Sequence, residues 1–320
     1  MIEEIKKQFT AYWHYIPLAT ACKNNIFDLI ANGKNTPQKL AQDLAAEISV
    51  LKALLKVLEN DGFLLQKENK YFLTEKGKIL TEKHPQSLKY ACILWSEEHL
   101  NAWQNLDYTL KTGKTAFEKL YGTAFFDFLD KHPEKLRIYH RAIYEYARDD
   151  YKNICQVIDF EPYSTIADIG GGLGAILGII RKNFPQKKLI LFERPQVIAM
   201  LQNPPFETIS GDFFAEIPVR ADLYILSRVL HDWNDAQATQ ILKNLHSAMS
   251  CTAHLLVIEN FADYIPDSAA GLYLNMRLIT GGKERTKKEY FSLLRKNGFH
   301  ILETKQLNDL QWIIKTKKHC

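Results

Sequence analysis

The sequence predicts an α/β protein in which a mostly parallel sheet, ended by an antiparallel hairpin, follows a helical N-terminal domain. From residue 164 onward, strand-length apolar runs alternate with helix-length segments, which is typical of a parallel sheet covered on both faces. The last two strand runs are joined by a turn too short for a crossover, so they should pair antiparallel. Residues 6–82 instead show helical patterns followed by a short hairpin.

The composition is that of an ordinary folded protein. The chain has 320 residues, 46% hydrophobic and 24% charged, and a net charge of only +4, so we expect neither a nucleic-acid partner nor a membrane surface. No apolar run reaches the roughly 20 residues of a transmembrane helix. The first residues lack a signal-peptide pattern, which indicates a cytoplasmic protein. The cysteines show no C-x-x-C spacing, so we expect reduced thiols and neither a disulfide framework nor a zinc site.

Three parts are predicted along the chain: 1–84, 85–158 and 159–320. In the first, Thr36 is a suitable N-cap with Pro37 at the first helical position. EISVLKALLKVLEND repeats leucine at helical spacing, and DGFLLQKENKYFLTEKGK reads as two strands around a polar turn, so this part resembles a winged helix. The second part is helical and rich in aromatic residues. The third holds the strand candidates TIADI, KLILFE, FETISG, DLYILS and HLLVIE, and then FHILETKQLNDLQWIIKTK.

A glycine-rich turn follows the first strand of the sheet. DIGGGLGA places Gly170 and Gly172 where the backbone must turn sharply and let a ligand approach. This pattern also suits a nicotinamide site, so alone it leaves the cofactor open. Glu193 ends the second strand, where an acidic side chain can accept the hydroxyls of a ribose. Asp212 ends the third strand; with Phe213 it is a candidate for holding an adenine, or else it caps a turn.

Asp168, directly before the glycines, distinguishes between the two cofactor classes. A carboxylate at this place would repel a pyrophosphate, but it suits a ligand with an ammonium and a sulfonium group. S-adenosylmethionine is such a ligand, and its carboxylate could use the helix N-terminus that follows. Arg228 could supply a further charged donor. The terminal hairpin is also typical of methyltransferases rather than dehydrogenases, so the sequence predicts S-adenosylmethionine rather than NAD.

The stretch DLYILSRVLHDW places His231 at the carboxyl end of the fourth strand, where open α/β folds bind ligands. Asn234 and Gln237 can form a capping box for the next helix, so His231 should lie in the loop over the cleft. A histidine can take a proton from a hydroxyl as a methyl group arrives. It needs a carboxylate on its other nitrogen, and Glu259, ending the fifth strand, and Glu284, in GGKERT, are the two candidates.

These motifs resemble those of the small-molecule O-methyltransferases of the plant and animal phenol type, especially the acetylserotonin (hydroxyindole) branch. The likeness covers nearly the whole chain through the winged N-terminal region, TGKTAFEKLYG, DIGGGLGA, GDFF, DLYILSRVLHDW, LYLNM and GGKERT. It implies a class I methyltransferase fold with a Rossmann-like sheet, a homodimer, S-adenosylmethionine as cofactor and no metal. The parts then become a winged-helix-like dimerisation domain (1–84), a connector with substrate-pocket helices (85–158) and a cofactor-binding catalytic domain (159–320).

The resemblance also implies roles for residues. His231 falls on the general base of the family, and Glu259 and Glu284 fall on its flanking carboxylates. The family's cofactor positions correspond to Gly170, Glu193, Asp212, Phe213 and Arg228, and we add Asp168, Gly172 and Trp233 to the predicted cofactor set. Family members usually have Asp where Glu193 stands, and the longer carboxylate can still reach a ribose. We expect substrate contacts from Trp103, Phe126, Tyr139 and Met276.

The resulting interpretation is an S-adenosylmethionine-dependent O-methyltransferase that acts on a hydroxylated, aromatic small molecule. One alternative keeps the fold but changes the reaction, either by repurposing or by methylation of nitrogen or sulfur. Another is a winged-helix DNA-binding regulator that senses a ligand, although the helix at the recognition position offers only Lys52 and Lys56 as basic residues. An NAD-linked oxidoreductase is the weakest alternative, because Asp168 opposes it.

Overall fold

The fold is known from a computed structural model, and the structure describes residues 1–319 without the side chain of Ser268. The chain forms two compact units, Met1–Glu98 with Arg141–Tyr146, and His99–His140 with the chain from Ala147 onward. No helix among residues 1–319 is both long and apolar enough to cross a membrane. The predicted division into three parts stays a prediction.

The first unit is helical and contains a two-stranded antiparallel hairpin. Its helices and strands are Ile2–Phe9 (α1), Tyr12–Lys23 (α2), Ile26–Ala31 (α3), Pro37–Leu44 (α4), Ile48–Asn60 (α5), Leu64–Lys67 (β1), Lys70–Leu73 (β2), Glu75–Lys78 (α6) and Lys89–Leu94 (α7). As predicted, the Thr36 hydroxyl caps α4 and Pro37 occupies its first turn. The leucine spacing of α5 is also confirmed, because Leu51, Leu55 and Leu58 are buried.

The second unit contains the remaining helices. They are Glu98–Gln104 (α8), Leu106–Thr112 (α9), Ala116–Tyr121 (α10), Phe125–Lys131 (α11), Pro133–Asp150 (α12), Ile154–Val157 (α13), Ala175–Asn183 (α14), Pro195–Ile198 (α15), Asp235–Ala248 (α16), Gly271–Ile279 (α17) and Lys287–Lys296 (α18). Two short 3₁₀ helices span Leu230–Asp232 and Asp267–Ala269. Part of α12, Arg141–Tyr146, belongs to the first unit.

A seven-stranded sheet organises the second unit. Its strands are Thr165–Ile169 (β3), Lys188–Glu193 (β4), Glu207–Ser210 (β5), Leu223–Ser227 (β6), His254–Asn260 (β7), Phe299–Gln306 (β8) and Gln311–Lys318 (β9). The spatial order is β5-β4-β3-β6-β7-β9-β8, and only the pairs made by β9 are antiparallel. This confirms the predicted parallel sheet with a terminal antiparallel hairpin. The carboxyl ends of β3, β4, β6 and β7 therefore meet at one edge, where parallel sheets hold their sites.

Both faces of the sheet are covered, which explains why its central strands are continuous apolar runs. One face packs against α16 and α18, with Ile241 and Leu294 fully buried. The other face packs against α13 and α14, with Ile154 and Leu177 fully buried. A third cluster of aromatic side chains joins α10, α11 and α17 around Phe117. The sheet is thus buried on both faces, and the candidate site residues lie at its carboxyl edge.

The cysteines differ from the expectation in one respect. Cys22, Cys92 and Cys155 are free thiols. Cys251 is disulfide-bonded, so the prediction of reduced thiols is wrong at this position. Spacing along the chain could not indicate this, because a disulfide depends on proximity in space. Cys320 lies outside the described residues.

Candidate active site

The glycine turn has the sharply turned backbone that the sequence predicts. Gly170, Gly172 and Gly174 have φ values of +70°, +58° and +76°, in the left-handed region where residues with a side chain are disfavoured. A Cβ atom at Gly170 would also lie 3.1 Å from the Val229 side chain and 3.4 Å from the Phe213 ring. Glycine is therefore favoured here by its conformation, and a side chain would also crowd Val229 and Phe213. The turn delivers the chain into α14, which begins directly after Gly174.

Two buried carboxylates lie at this turn. Glu193 accepts the Gly172 N–H at 3.0 Å and the Arg194 N–H at 2.8 Å, so its orientation is fixed by the backbone. Asp168 is 1% exposed, and its Oδ1 has no hydrogen-bond partner among the described residues. Burial, followed by the charge of Glu193, raises the pKa of Asp168 to about 7. Burial also raises the pKa of Glu193. Arg194 Nε lies 3.9 Å from Glu193 Oε1, whereas Asp168 has no cationic partner among the described residues, so its charged form is poorly stabilised.

This electrostatic state matches the predicted cofactor. The unsatisfied Asp168 oxygen is suited to accept a hydrogen bond from an ammonium group. Glu193 is already held in place by the Gly172 amide and can accept ribose hydroxyls through its remaining lone pairs. S-adenosylmethionine carries both groups and a positive sulfonium. The residues present therefore fit this cofactor better than a pyrophosphate.

The free energy of unfolding should depend on the charge of the buried Asp168 carboxylate. Asp168→Asn is expected to become progressively more stable than the unsubstituted chain as pH rises from 4 to 8. The folded-state pKa of Asp168, about 7, lies above its ordinary 3.8. Its contribution to stability is therefore complete below the lower value and is lost as pH rises through the upper one. The difference amounts to at most about 4 kcal/mol. Denaturant unfolding of both proteins at several pH values measures it, and parallel pH profiles would contradict the assignment.

Three other predicted cofactor residues, Asp212, Phe213 and Trp233, have different surroundings. Phe213 lies against Gly170, and its ring centroid is 6.2 Å from that of Trp233. Asp212 is exposed, and its Oδ1 accepts the N–H of Phe214 at 2.8 Å. The turn-cap alternative for Asp212 is therefore present in the structure, and its second oxygen remains available for a ligand. Trp233 also packs edge-on against Phe214, with 4.7 Å between centroids.

Arg228 occupies a strained position directly after β6. Its φ of +51° is unusual for a residue with a long side chain, and such strain is often found at functional sites. The guanidinium Nη1 lies 3.2 Å from Asp150 Oδ2, and the group stacks 5.7 Å from the Tyr151 ring. Sequence reasoning missed both partners. They lie at the end of α12, far from Arg228 in sequence, so only the folded chain brings them together.

The histidine lies where the sequence places it, at the carboxyl end of β6. His231 is in the short 3₁₀ helix Leu230–Asp232 rather than in an irregular loop. Its Nδ1 is 3.2 Å from Glu284 Oε1, within hydrogen-bond distance, and 3.6 Å from Glu259 Oε2. Its Nε2 is 3.9 Å from Asp232 Oδ2. The structure thus brings both predicted glutamates to the same ring nitrogen.

The two glutamates have different partners. Glu259 accepts the backbone N–H groups of Val229 at 3.1 Å and Leu230 at 2.8 Å, so it fixes the main chain that carries the histidine. Glu284 accepts the Asn260 side-chain amide at 3.0 Å with the oxygen that faces His231. Glu284 is therefore the direct hydrogen-bond partner of the imidazole. Glu259 holds the loop and adds a second negative charge.

This cluster binds protons tightly. Burial alone would lower the pKa of His231, but the neighbouring carboxylates, Glu259 first and Glu284 next, outweigh burial and raise it to about 10. Burial raises the pKa of Glu259 to about 7 and that of Asp232 to about 6. The imidazole accordingly carries a proton at neutral pH in the cofactor-free protein. A nearby cation would oppose that proton and favour the neutral imidazole.

Sequence reasoning missed the groups that hold this loop. Arg285 is 1% exposed; its guanidinium donates to the Leu230 and Trp233 carbonyls and to Asp235. A side chain at Gly282 would collide with the backbone carbonyl of His231, which explains the second glycine of GGKERT. The motif is visible in the sequence, but nothing in it indicates that Arg285 holds the loop. A buried arginine shows its function only through partners about 50 residues away in the chain.

The predicted substrate residues lie on the helices beside the sheet. The Phe126 ring is half-buried, 5.3 Å from the Trp233 ring and 6.1 Å from the Tyr139 ring. Trp103 donates its indole N–H to Asn275 on α17 at 3.2 Å. Met276, the residue after Asn275, is buried. Phe126 and Tyr139 thus approach the His231 loop through Trp233. Trp103 is joined to α17, the helix that carries Met276.

Comparisons with known proteins agree with this geometry. The O-methyltransferase domain family matches residues 103–300, and the O-methyltransferase dimerisation domain matches residues 7–83. The phenazine O-methyltransferase PhzM of Lysobacter antibioticus is 33% identical over 306 residues, which cover 92% of this chain and 90% of that enzyme. The crystal structure of LaPhzM superposes with a TM-score of 0.91 at 30% identity, covering 99% of both chains.

The fold is shared more widely. Human N-acetylserotonin methyltransferase, solved in complex with S-adenosylmethionine, superposes with a TM-score of 0.90 at 23% identity and covers 100% of this chain and 98% of its own. A likeness at this identity shows the fold alone, so the narrower resemblance to the acetylserotonin branch stays a prediction. The domain match and the phenazine enzyme establish the family. The chain belongs to the O-methyltransferase family and is an S-adenosylmethionine-dependent O-methyltransferase.

Proposed function

We propose that the chain methylates a hydroxyl group on a small aromatic molecule, with His231 as the general base. The observation that carries this proposal is the orientation of His231. Its Nδ1 faces Glu284 and Glu259, while its Nε2 lies 3.9 Å from Asp232 and makes no hydrogen bond with a described residue, so it can meet an acceptor hydroxyl. The half-buried rings of Phe126 and Tyr139 support a flat acceptor. The name of the Lysobacter phenazine O-methyltransferase points to the same class of acceptor.

In this proposal each side chain has a defined task. When bound, the cofactor supplies an electrophilic methyl group next to a positive sulfur. His231 takes the hydroxyl proton on Nε2, and Glu284 stabilises the resulting imidazolium through Nδ1. Glu259 keeps the loop in place through the Val229 and Leu230 amides. Most of the acceleration comes from holding the reacting atoms in line.

The cofactor cleft in this proposal consists of the glycine turn and its carboxylates. Asp168 accepts the ammonium group, Glu193 accepts ribose hydroxyls, and Gly170 and Gly172 allow close approach of the backbone. The outer part of the cleft is formed by Asp212, Phe213, Arg228 and Trp233. For Phe213 the supporting observation is its packing against the turn, and for Trp233 it is its contacts with the Phe213 and Phe214 rings.

Binding of the cofactor product tests this cleft directly. S-adenosylhomocysteine should bind the purified protein with micromolar affinity in calorimetric titration, whereas NAD under the same conditions should not bind. The reaction type is then tested with ring compounds that differ only in carrying a hydroxyl, an amine or a thiol. Methylation of the hydroxyl compound alone supports the proposal. Preference for the amine or thiol, or turnover to an unmethylated product, would favour a different reaction on the same fold.

We propose that no metal takes part in the reaction, although three side chains at the site lie close enough together to bind one. The ligand atoms of His231, Glu259 and Glu284 lie within 4.8 Å of one another, a spacing that could also hold an ion. The 3.2 Å contact from Nδ1 to Glu284 is instead a normal hydrogen bond. Methyl transfer should therefore be unchanged after prolonged dialysis against a chelator, and a loss restored by a divalent cation would contradict this part.

We further propose that the chain is a homodimer through its first unit and does not bind nucleic acid. The dimerisation-domain match covers residues 7–83. On α5, Lys56 is paired with Glu59 at 2.9 Å, which leaves little basic surface for a duplex. Helix α1 buries none of its side chains. Its apolar side and the start of α2 are exposed at Ile2, Ile5, Phe9, Tyr12 and Trp13.

The dimer should depend on this apolar surface. Phe9 and Trp13 are 69% and 59% exposed, and monomeric proteins rarely leave such rings clustered in water. The double substitution Phe9→Asp and Trp13→Asp is expected to convert a dimer to a monomer in light scattering after size-exclusion chromatography. Leu110→Asp is the matched control, because Leu110 is 79% exposed on α9. An unaltered dimer in the double variant would place the interface elsewhere.

A further inference from the structure

His140 is a buried histidine for which the proposed mechanism has no task. It lies on α12 with 6% of its surface exposed, and its Nε2 has no hydrogen-bond partner among the described residues. A buried polar atom without a partner costs about 1–3 kcal/mol, so an observed case needs an explanation. The explanation we consider is a ligand next to the ring.

The other ring nitrogen borders the glycine turn. A Cβ atom placed on Gly172 would lie 3.5 Å from His140 Nδ1, so the imidazole stands beside the face of Gly172 that has no side chain. The N–H of the same glycine donates to Glu193 at 3.0 Å. His140, Gly172 and Glu193 are therefore neighbours. The space that glycine leaves open at this point is bordered by a nitrogen able to form a hydrogen bond.

The charge state of His140 is opposite to that of His231. Burial, and then the charge of Arg194, lowers the pKa of His140 to about 3, so its imidazole is neutral at physiological pH. The carboxylates around His231 raise the pKa of that residue to about 10. Environments that separate the pKa values of similar groups usually assign them different roles. A neutral imidazole can donate or accept a hydrogen bond without repelling a positively charged ligand.

We propose that His140 is a cofactor-binding residue whose neutral imidazole hydrogen-bonds the bound S-adenosylmethionine beside Gly172. The inference rests on the proposed cofactor cleft and adds a residue that lies outside the sheet. It also explains why the polar ring is retained in a buried position. Because the contact is with the cofactor, its loss should appear in binding even when no acceptor is present.

Titration with S-adenosylhomocysteine tests the contact. His140→Phe, which keeps the ring but removes both nitrogens, is expected to weaken binding by about tenfold, as for one lost hydrogen bond. His140→Asn places an amide near Nδ1, and His140→Gln places one near Nε2, the atom without a partner among the described residues. At least one of the two variants should retain affinity within about threefold, and that variant identifies the nitrogen that contacts the cofactor. Unchanged affinity in His140→Phe would overturn the proposal.

Two controls separate this inference from the rest. His99→Phe is matched, because His99 is 4% exposed, burial lowers its pKa to about 4, and its ring packs against Phe125 at 5.5 Å. It makes the same replacement at a buried histidine away from the glycine turn, and it should keep its affinity. Glu193→Gln should weaken binding whether or not His140 takes part. If Glu193→Gln weakens binding and His140→Phe does not, only the His140 proposal fails; if the unsubstituted protein does not bind, the cleft itself fails.

Discussion

Replacement of His231 by Asn or Ala is expected to lower kcat by about 10²–10⁴ while the affinity for S-adenosylhomocysteine stays within about twofold. The imidazole is the group placed to accept the hydroxyl proton, and its Nδ1 is held by Glu284 at 3.2 Å. Asn retains part of the size and polarity but cannot take up the proton. The rate is measured with saturating cofactor and acceptor, and the affinity is measured by calorimetry.

The same substitution at a histidine within the sheet provides the control. His254 begins β7, at the opposite end of the strand from Glu259, and contacts Tyr163. His254→Asn should leave kcat unchanged. A well-folded His231→Asn that turns over at the original rate would remove His231 from the role of base. A parallel loss of cofactor affinity would instead indicate that the substitution disturbs the glycine turn.

Much of the fold was predictable because it depends on interactions between residues that are close together in the sequence. Buried strands such as β7 are continuous apolar runs, and the terminal hairpin follows from a connection too short for a crossover. The Asn234 and Gln237 capping box forms as the spacing predicts. Glycines in the cofactor turn are required by backbone angles that few other residues adopt. Such features need only a few neighbouring residues, so a single sequence reveals them.

Other parts of the site depend on contacts between distant segments. Arg285 braces the His231 loop across about 50 positions, and Asp150 pairs with Arg228 across 78. No local pattern distinguishes these residues from ordinary surface charges. The protonation state of the cluster is also non-local, because it depends on how many carboxylates surround one imidazole. The sequence identifies two candidate glutamates. The different roles that we propose for them follow only from their distances to His231 and to the backbone amides.

The pH dependence of the rate should show the effect of the neighbouring carboxylates on the pKa of His231. Only the neutral imidazole can accept a proton, and the carboxylates raise the pKa of His231 to about 10. The kcat/KM for the acceptor should therefore increase with pH above neutrality. Glu284→Gln and Glu259→Gln each remove one negative charge. Both should lower the pKa of His231 and move the rising part of the profile to lower pH.

The height of the plateau then distinguishes the two glutamates. Glu284→Gln replaces the direct acceptor of the Nδ1 proton by an amide, which can present an N–H to the imidazole and favour the wrong tautomer. Such a replacement costs serine proteases about 10⁴ in kcat, and with Glu259 still 3.6 Å away we expect a loss of about 10² here. Glu259→Gln keeps a carbonyl oxygen for the Val229 and Leu230 amides, so its plateau should fall by less than about tenfold. Equal plateaus would mean that neither carboxylate alone orients the imidazole, whereas the reverse order would make Glu259 the orienting group.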